Sequence, residues 1–406
     1  MLKSILVIAT LCAAAHLPST PAAAQDRTRE PRRPRLDAAA DTNSAAAYYS
    51  HGVRVMHSRP REAADAFYWA TRIDPGMADA WYARRIAFFM SNPERFGAYM
   101  YRNRRVVESR EVRTADSLQL RALTLNPFVR TKFDKDLFDH YQHWSVFGDR
   151  AGVSFDPAAL KFWMDKWLLD GGPASRAWVA YAGGFFPEAL EAYATALEGS
   201  RNRGGIHANR ARIFLLVGRP DSALVQMSQA VEHMRAREHG ETDMIFLYES
   251  KALYEHSTGV ILEQLGRREE AREAYARALR EDLSYHPAHV ALAGIALASA
   301  DTATALAELD LAAQLRGDDA GVRYAYAQVL AFSRRYAEAR EQLQQAVATE
   351  PWFAPPYALL GGMLETAGKR SEAREAYTAF LARATRGHPL RENVQARLAS
   401  LAEAAP

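Results

Sequence analysis

The sequence predicts an all-α solenoid built from helix–turn–helix repeats, and three observations support this prediction. The C-terminal part of the 406-residue chain aligns without a gap in four rows of 34 residues, which begin at positions 252, 286, 320 and 354. Small and apolar residues recur in the same columns of all four rows. The columns are spaced by three or four positions, as residues on one helix face are. A period shared by consecutive rows is the signature of a repeat architecture.

The second helix of each row is marked by a column of alanine and, four positions later, a column of larger apolar residues. The alanine column consists of Ala271, Ala305, Ala339 and Ala373. The larger residues are Tyr275, Leu309, Leu343 and Tyr377. Residues four positions apart lie on the same helix face, and alanine allows a neighbouring helix to approach closely. The columns therefore predict a helix that packs tightly against its partner.

The first helix of each row carries its own apolar stripe, and a short turn separates it from the second. The turn is visible as Leu265-Gly266-Arg267 in the first row and as Ala367-Gly368-Lys369 in the fourth. Glycine commonly ends a helix because it adopts the left-handed backbone conformation without a steric penalty. Each row is therefore predicted to be one pair of helices.

This pattern resembles the tetratricopeptide repeat (TPR), in which small, aromatic and small residues mark the second helix and a proline closes the unit. Pro351 occupies that closing position. Rows in the same phase begin upstream at positions 170 and 204, and a similar segment near the N-terminus contains Ala63, Phe67, Ala70 and Pro75. The resemblance implies a TPR solenoid, a right-handed superhelix of paired helices.

The repeats divide the chain into eight predicted segments. These are a signal peptide (1–24), an Arg/Pro-rich linker (25–43), N-terminal TPR-like repeats (44–109), an irregular helical segment (110–169), TPR repeats (170–237), an insertion (238–251), four regular repeats (252–387) and a capping helix (388–406). A solenoid needs such a cap because its last repeat would otherwise expose an apolar face.

The N-terminus has the layout of a secretory signal peptide, with Lys3, an apolar run over 5–15 and small residues at 22–24. We therefore expect cleavage before Gln25 and a periplasmic or secreted protein. A retained membrane anchor is a poorer explanation, because a spanning helix needs about 20 apolar residues. Lipidation at Cys12 is also a poorer explanation, since Leu11 precedes it where lipoprotein signals have a small residue. No other segment is long enough to predict a transmembrane helix.

Composition narrows the classes of partner and chemistry. Cys12 is the only cysteine, so a cleaved chain has no disulfide, thiolate metal site or cysteine nucleophile. A net charge of +3 gives no electrostatic reason to expect nucleic acid as a partner. The linker 25–43 is interpreted as a solubilising tether, with contact to an acidic membrane surface as the alternative. The sequence contains no known catalytic or cofactor-binding motif, so we expect neither catalysis nor a cofactor.

TPR proteins bind protein or peptide partners chiefly along the concave surface lined by the first helix of each repeat. The resemblance therefore implies that the chain is an exported scaffold for a protein or peptide partner. Its predicted groove consists of His256, Val260, Glu263, Val290, Tyr324, Gln328, Phe332 and Glu365.

The aromatic segment 128–178 leaves two interpretations open. Its rings either form a core that joins two repeat blocks or line a pocket, for which the candidates are Trp144, Trp163, Trp167 and Trp178. Four residues at helical spacing are candidate metal ligands, although a solvated polar face explains them equally well: Asp136, Asp139, His140 and His143. A binding module for a small ligand or metal in this segment is the alternative function, and an enzyme with its site there is the third.

Overall fold

The computed structural model describes residues 30–100, 109–147, 172–200, 203–236 and 250–403. These residues form nineteen helices and no strand, which confirms the predicted fold class. The helices are α1 (Ala45–Val55), α2 (Pro60–Ile73), α3 (Ala78–Ser91), α4 (Pro93–Met100), α5 (Arg110–Leu125), α6 (Asp134–Phe147), α7 (Pro173–Gly183), α8 (Phe186–Gly199), α9 (Arg203–Leu216), α10 (Pro220–Ala236), α11 (Lys251–Gln264), α12 (Arg268–Glu281), α13 (His286–Ala298), α14 (Thr302–Leu315), α15 (Ala320–Phe332), α16 (Tyr336–Thr349), α17 (Pro355–Thr366), α18 (Arg370–Arg383) and α19 (Arg391–Glu403).

Helices α7 to α18 form six consecutive pairs, and each pair packs against the next to make the solenoid. The four alanines of the repeating column are fully buried at the contacts between helices. Helix α19 packs on α18 through Val394 and Leu401, which are buried in the core of the last repeat. Among the described helices, none combines the length and the apolar character that a membrane span requires.

Glycines on the first helices receive the aromatic rings of the second helices. A Cβ atom at Gly259 would lie 2.3 Å from Cε1 of Tyr275, and one at Gly361 would lie 2.5 Å from ring atoms of Tyr377. Both tyrosine rings are buried. The absence of a side chain at these two glycines therefore sets the spacing of two helix pairs.

The substitution Gly259→Ala should lower the free energy of unfolding by about 1–3 kcal/mol, because the buried Tyr275 ring has to move. The matched control is Gly294→Ala, at an exposed helical site where an added Cβ meets nothing within 4 Å. This control should raise stability by about 0.4–1 kcal/mol. Urea titrations of both variants test the prediction, and equal changes in stability would contradict it.

Every turn between the two helices of the four regular rows contains a residue with positive φ. Gly266 and Gly368 have φ values of 74° and 73°, and Ala300 and Arg334 have values of 59° and 61°. The four positions are one repeat period apart. Residues other than glycine thus adopt the same left-handed conformation in the second and third rows.

The six N-terminal helices, α1 to α6, form one block that contacts the solenoid at several places, among them the first pair, the middle and the last repeats. At the first pair of the solenoid, Arg130 lies over the Phe186 ring at 5.3 Å. The backbone N–H of Thr131 donates to the Tyr181 hydroxyl at 3.3 Å. In the middle of the solenoid, Phe128 packs into a core cluster with residues of α9, α10 and α11.

The third contact joins the N-terminal block to the last repeats. The Arg72 guanidinium lies 2.7 Å from the Glu350 carboxylate, and the Trp69 and Trp352 rings meet edge to face at 5.4 Å. The side-chain amide of Asn43 donates to the Ala384 carbonyl, 341 positions further along the chain, at 3.3 Å. Within residues 32–406 the N-terminal block therefore closes against the last repeats.

A single arginine strengthens this closure. The Arg33 guanidinium is 4.2 Å from the ring centroid of Trp69 and 4.2 Å from that of Trp352. Because the two rings belong to opposite ends of the chain, the cation–π contacts of Arg33 hold these ends together.

Several sequence predictions lie outside the described residues. They include the signal peptide with Cys12 and the cleavage position before Gln25, Trp163 and Trp167 of the aromatic segment, and most of the predicted insertion at 238–251.

Candidate functional site

The eight residues of the predicted groove do not share one open surface. His256, Val260, Glu263 and Val290 line a cavity between α5 and the first helices α11, α13 and α15, which we call the inner cavity. Tyr324 and Gln328 line a different cavity between α15, α17 and α19, which we call the outer groove. Phe332 is 80% exposed at the end of α15, and Glu365 hydrogen-bonds to the outer groove residues Tyr377 and Arg397.

The inner cavity has a volume of about 360 Å³ and is partly covered by the C-terminal end of α5. An ion pair between Arg121 of α5 and Asp319, both largely buried, fixes this cover. Asp319 also caps α15, because its carboxylate accepts hydrogen bonds from the N–H groups of Gly321 and Val322 at 2.9 and 3.2 Å. The N-terminal block thus occupies part of the surface that the sequence predicts as a partner groove.

His256 is a buried residue, with only 4% of its surface exposed. Its ring lies 5.2 Å from the Tyr275 ring and 5.4 Å from the Tyr285 ring. Its Nδ1 atom has no hydrogen-bond partner. Burial lowers the pKa of His256 to about 4, so the imidazole is neutral near pH 7.

The outer groove has a volume of about 620 Å³. Its apolar lining comes from Leu359 and Met363 of α17 and from Leu390 and Val394 at α19. Of the four apolar positions in the capping segment, Leu390, Val394, Leu398 and Leu401, the first two line this groove.

Two amide side chains stand at the outer groove, Gln328 of α15 and Asn393 of α19. Both residues are exposed. Arg397 Nε donates to Asn393 Oδ1 at 3.0 Å, so the amide nitrogen of Asn393 is a further donor in the groove. The outer groove therefore presents hydrogen-bond donors and acceptors of side-chain amides beside an apolar surface.

A short hydrogen-bonded chain connects the outer groove to Glu365. The Tyr377 hydroxyl donates to the Glu365 carboxylate at 2.7 Å, and Arg397 donates to the same carboxylate at 2.9 Å. The hydrogen bond from Tyr377 and the charge of Arg397 lower the pKa of Glu365. At neutral pH the carboxylate is ionised and holds α19 against α17.

The tyrosine at the other side of the outer groove is also fixed in place. The Tyr324 ring meets the Phe353 ring edge to face at 5.6 Å. Burial raises the pKa of Tyr324, so its hydroxyl is protonated at neutral pH and can donate a hydrogen bond.

The candidate metal ligands do not assemble into a site. Asp139 forms an ion pair with Lys135 at 2.6 Å, and Asp136 lies 3.9 Å from His57. Within the described ranges, no group of three or more His, Cys, Asp or Glu side chains has a geometry suited to a metal ion.

The described tryptophans of the aromatic segment pack against other rings. Trp144 stacks on Tyr141 at 6.1 Å, and Trp178 meets Phe138 edge to face at 6.2 Å. Trp144 also lines a cavity of about 550 Å³, together with His140 and His143. Trp144 and Trp178 therefore contact different rings, and these contacts do not place the two tryptophans in one pocket.

Residues that the sequence did not single out complete both cavities. Asn393 and Met363 belong to the outer groove, and Arg121 and Asp319 belong to the inner cavity. Asp319 could have been found from the sequence, because aspartate directly before a helix is a preferred N-cap. No sequence pattern indicated that Arg121 lines the inner cavity.

The tetratricopeptide repeat family model matches residues 256–285, which begin within α11 and include all of α12. No curated protein matches the sequence significantly. Among solved structures, PilF of Pseudomonas aeruginosa is similar at 18% identity and a TM-score of 0.44, over 58% of this chain and 99% of that chain.

Two further solved structures are similar to the chain. YrrB, described as a TPR protein with an unusual peptide-binding site, has 19% identity and a TM-score of 0.40, over 51% of this chain and 99% of that chain. The C-terminal part of a TPR repeat-containing protein from Cytophaga hutchinsonii has 14% identity and a TM-score of 0.42, over 51% of this chain and 77% of that chain. Similarity at this level does not extend to function. The segment 256–285 is thus identified as a tetratricopeptide repeat, within an all-helical solenoid of paired helices.

Proposed function

We propose that the chain is an exported scaffold that binds a segment of a protein partner in the outer groove. The observation that carries the proposal is the combination of an apolar lining with the exposed amides of Gln328 and Asn393 in a groove of about 620 Å³. A scaffold for protein interactions is what a TPR-type solenoid supports in general. The proposal includes no catalytic step.

The chemistry of the outer groove suits an extended peptide. A side-chain amide offers both a donor and an acceptor, so Gln328 and Asn393 can pair with the N–H and C=O groups of a peptide backbone. Met363 adapts its shape to different apolar side chains, because it is unbranched and polarizable. Apolar side chains of the partner would therefore pack against Leu359 and Met363 while its backbone bonds to the amides.

The inner cavity is a poorer place for such a segment. Its entrance is narrowed by α5, which the Arg121–Asp319 ion pair holds in position. A peptide that displaced α5 on entering the cavity would separate two buried charges, which is costly. This comparison favours the outer groove as the partner site.

Photocrosslinking in intact host cells tests the proposed site. A photoreactive amino acid at position 328 should give a defined protein adduct after irradiation, and mass spectrometry would identify the adduct. The control position is Leu283, which is 79% exposed on the turn between α12 and α13, outside the groove. The same adducts from both positions, or none from position 328, would count against the outer groove.

Binding measured with the identified partner gives a second test. Asn393→Ala should weaken binding by about 1 kcal/mol, or roughly fivefold in Kd, because one hydrogen bond to the peptide is lost. The control is Asn209→Ala in α9, an amide that lines neither the outer groove nor its rim. Equal loss in the two variants would mean that the partner does not bind through Asn393.

The export part of the proposal rests on the predicted signal peptide. If it is correct, the mature protein isolated from its host should begin at Gln25 and be found outside the cytoplasm. N-terminal sequencing and cell fractionation measure both properties. A mature chain that still begins at Met1 in the cytoplasm would exclude export.

A further inference from the structure

Residues 33–43, which we call the strap, lie against both ends of the fold. The Arg33 guanidinium lies between the Trp69 and Trp352 rings, 4.2 Å from the centroid of each. Leu36 packs against the core cluster that contains Trp69. The strap thus places its arginine in a space between two indole rings, which we call the tryptophan slot.

The other end of the strap is anchored to the backbone of the last repeat. The Asp41 carboxylate accepts a hydrogen bond from the N–H of Arg386 at 2.6 Å. The Asn43 side-chain amide donates to the carbonyl groups of Ala382 and Ala384 at 2.9 and 3.3 Å. The strap is therefore held by an arginine, by an aspartate eight positions later and by an asparagine two positions after that.

The strap can leave these contacts without unfolding a helix. It contains no helix of its own, and a single backbone–backbone hydrogen bond lies within it, from the N–H of Ala40 to the carbonyl of Asp37 at 2.9 Å. Helix α1 begins directly after the strap and has its own cap, because the Ser44 side chain accepts from the N–H of Ala47 at 3.2 Å. Release of the strap would therefore leave α1 capped.

The guanidinium of Arg33 is incompletely hydrogen-bonded in the tryptophan slot. Its Nη1 atom donates to the Thr42 carbonyl at 3.2 Å, whereas its Nη2 atom is buried without a hydrogen-bond partner. A buried N–H group without a partner costs free energy, which reduces the net gain from docking the strap. A segment of another protein that brings an acceptor beside its own arginine can satisfy this N–H and so compete with the strap.

We propose that the tryptophan slot is a binding site for an extended, arginine-containing segment of a partner protein, and that the strap is its intramolecular occupant, which blocks the site until the partner displaces it. The partner supplies an arginine because a planar guanidinium stacks on aromatic faces better than an ammonium group does. It also carries a carboxylate about eight residues later, which accepts from the N–H of Arg386 as Asp41 does. The residues that contact these strap anchors do not line the outer groove, so the inference does not rest on the function proposed there.

A peptide added to the full-length protein tests the proposal. The triple substitution Arg33→Ala, Asp41→Ala, Asn43→Ala removes the strap anchors and should leave the site open. By isothermal titration calorimetry, a synthetic peptide of residues 33–43 should bind this variant with a Kd of ~1 mM or lower. It should bind the unsubstituted protein at least about tenfold more weakly, because the strap occupies the site there.

A second peptide tests the role of the arginine. The same peptide with Arg33→Ala should bind the triple variant at least about tenfold more weakly, because it has no guanidinium for the tryptophan slot. The matched control protein is Arg35→Ala, which removes an exposed arginine of the strap and should bind the first peptide as weakly as the unsubstituted protein does. Circular dichroism checks that each variant is folded, and the single variant Arg33→Ala replaces the triple variant if the latter does not fold.

Four outcomes would overturn the proposal. The first is equal affinity of the peptide for the triple variant and the unsubstituted protein, and the second is equal affinity of the two peptides for the triple variant. The third is the absence of binding at about 5 mM peptide, well above a Kd of ~1 mM. The fourth is a dimer of the unsubstituted protein that the triple substitution abolishes, because the occupant would then be the strap of a second copy.

Discussion

Replacing Asp319 with alanine should lower the free energy of unfolding by about 3–5 kcal/mol, because Arg121 would be left as a buried charge without a partner. The side chain of Asp319 is only 2% exposed, so the ion pair is largely shielded from solvent. The substitution also removes the N-cap of α15. Urea titration of the purified protein measures the loss.

Two variants separate these contributions. Asp301 caps α14 in the equivalent way but is exposed, so Asp301→Ala should cost much less than Asp319→Ala. The double variant Arg121→Met, Asp319→Asn removes both charges and keeps a side chain that can cap, so it should be more stable than Asp319→Ala. If the double variant were less stable than Asp319→Ala, the buried arginine would not be the cause.

Acid should destabilise the protein through His256. The pKa of this buried imidazole is about 4, whereas the unfolded chain has the ordinary value of 6.5. The unfolded state therefore binds a proton first, and the contribution of His256 to stability is complete above pH 6.5 and is lost as the pH falls towards 4. Between pH 7.5 and 4.5 the expected loss from this residue is about 2–3 kcal/mol.

The pH prediction is tested by comparing His256→Gln with the unsubstituted protein at both pH values. The variant should lose less stability on acidification, by about 2–3 kcal/mol, because glutamine does not titrate. His57→Gln is the control, because it makes the same replacement at a histidine whose side chain is 61% exposed. An identical pH dependence in the His256 variant and the unsubstituted protein would show that this histidine is not the titrating group.

The repeating part of the fold was predictable because each repeat meets the same packing requirement. Ala271 and its equivalents are small where two helices touch, and Tyr275 fills the space that Gly259 leaves. Such requirements recur every 34 residues and are visible as columns. Fold class therefore followed from the sequence alone.

The closure of the chain was not predictable in this way. Trp69 meets Trp352, and Asn43 meets Ala384, through contacts that occur once and leave no periodic pattern. The burial of His256 was not predictable for the same reason. The sequence predicted that His256 lines an open groove. A first-helix position is exposed in an open superhelix, but here α5 covers the surface near His256.

The candidate sites were predictable only where they follow from the repeat. Tyr324 and Gln328 lie together in the outer groove, as expected for neighbouring positions on one helix face. Asn393 belongs to α19, which follows the last repeat and has no equivalent in the other rows. The position of Asn393 opposite Gln328 depends on how α19 packs against the last repeat. The repeating columns of the sequence carry no information about that packing.

The closure contacts also bear on how this chain can change in length. An open array can gain or lose a 34-residue unit at little cost, because each unit touches only its neighbours. Here Arg33 lies between Trp69 and Trp352, so an added or deleted unit would move one ring away from the other. Duplication and deletion of whole units, the usual route by which arrays diversify, would therefore break the contact between the chain ends, and the number of units is fixed by geometry.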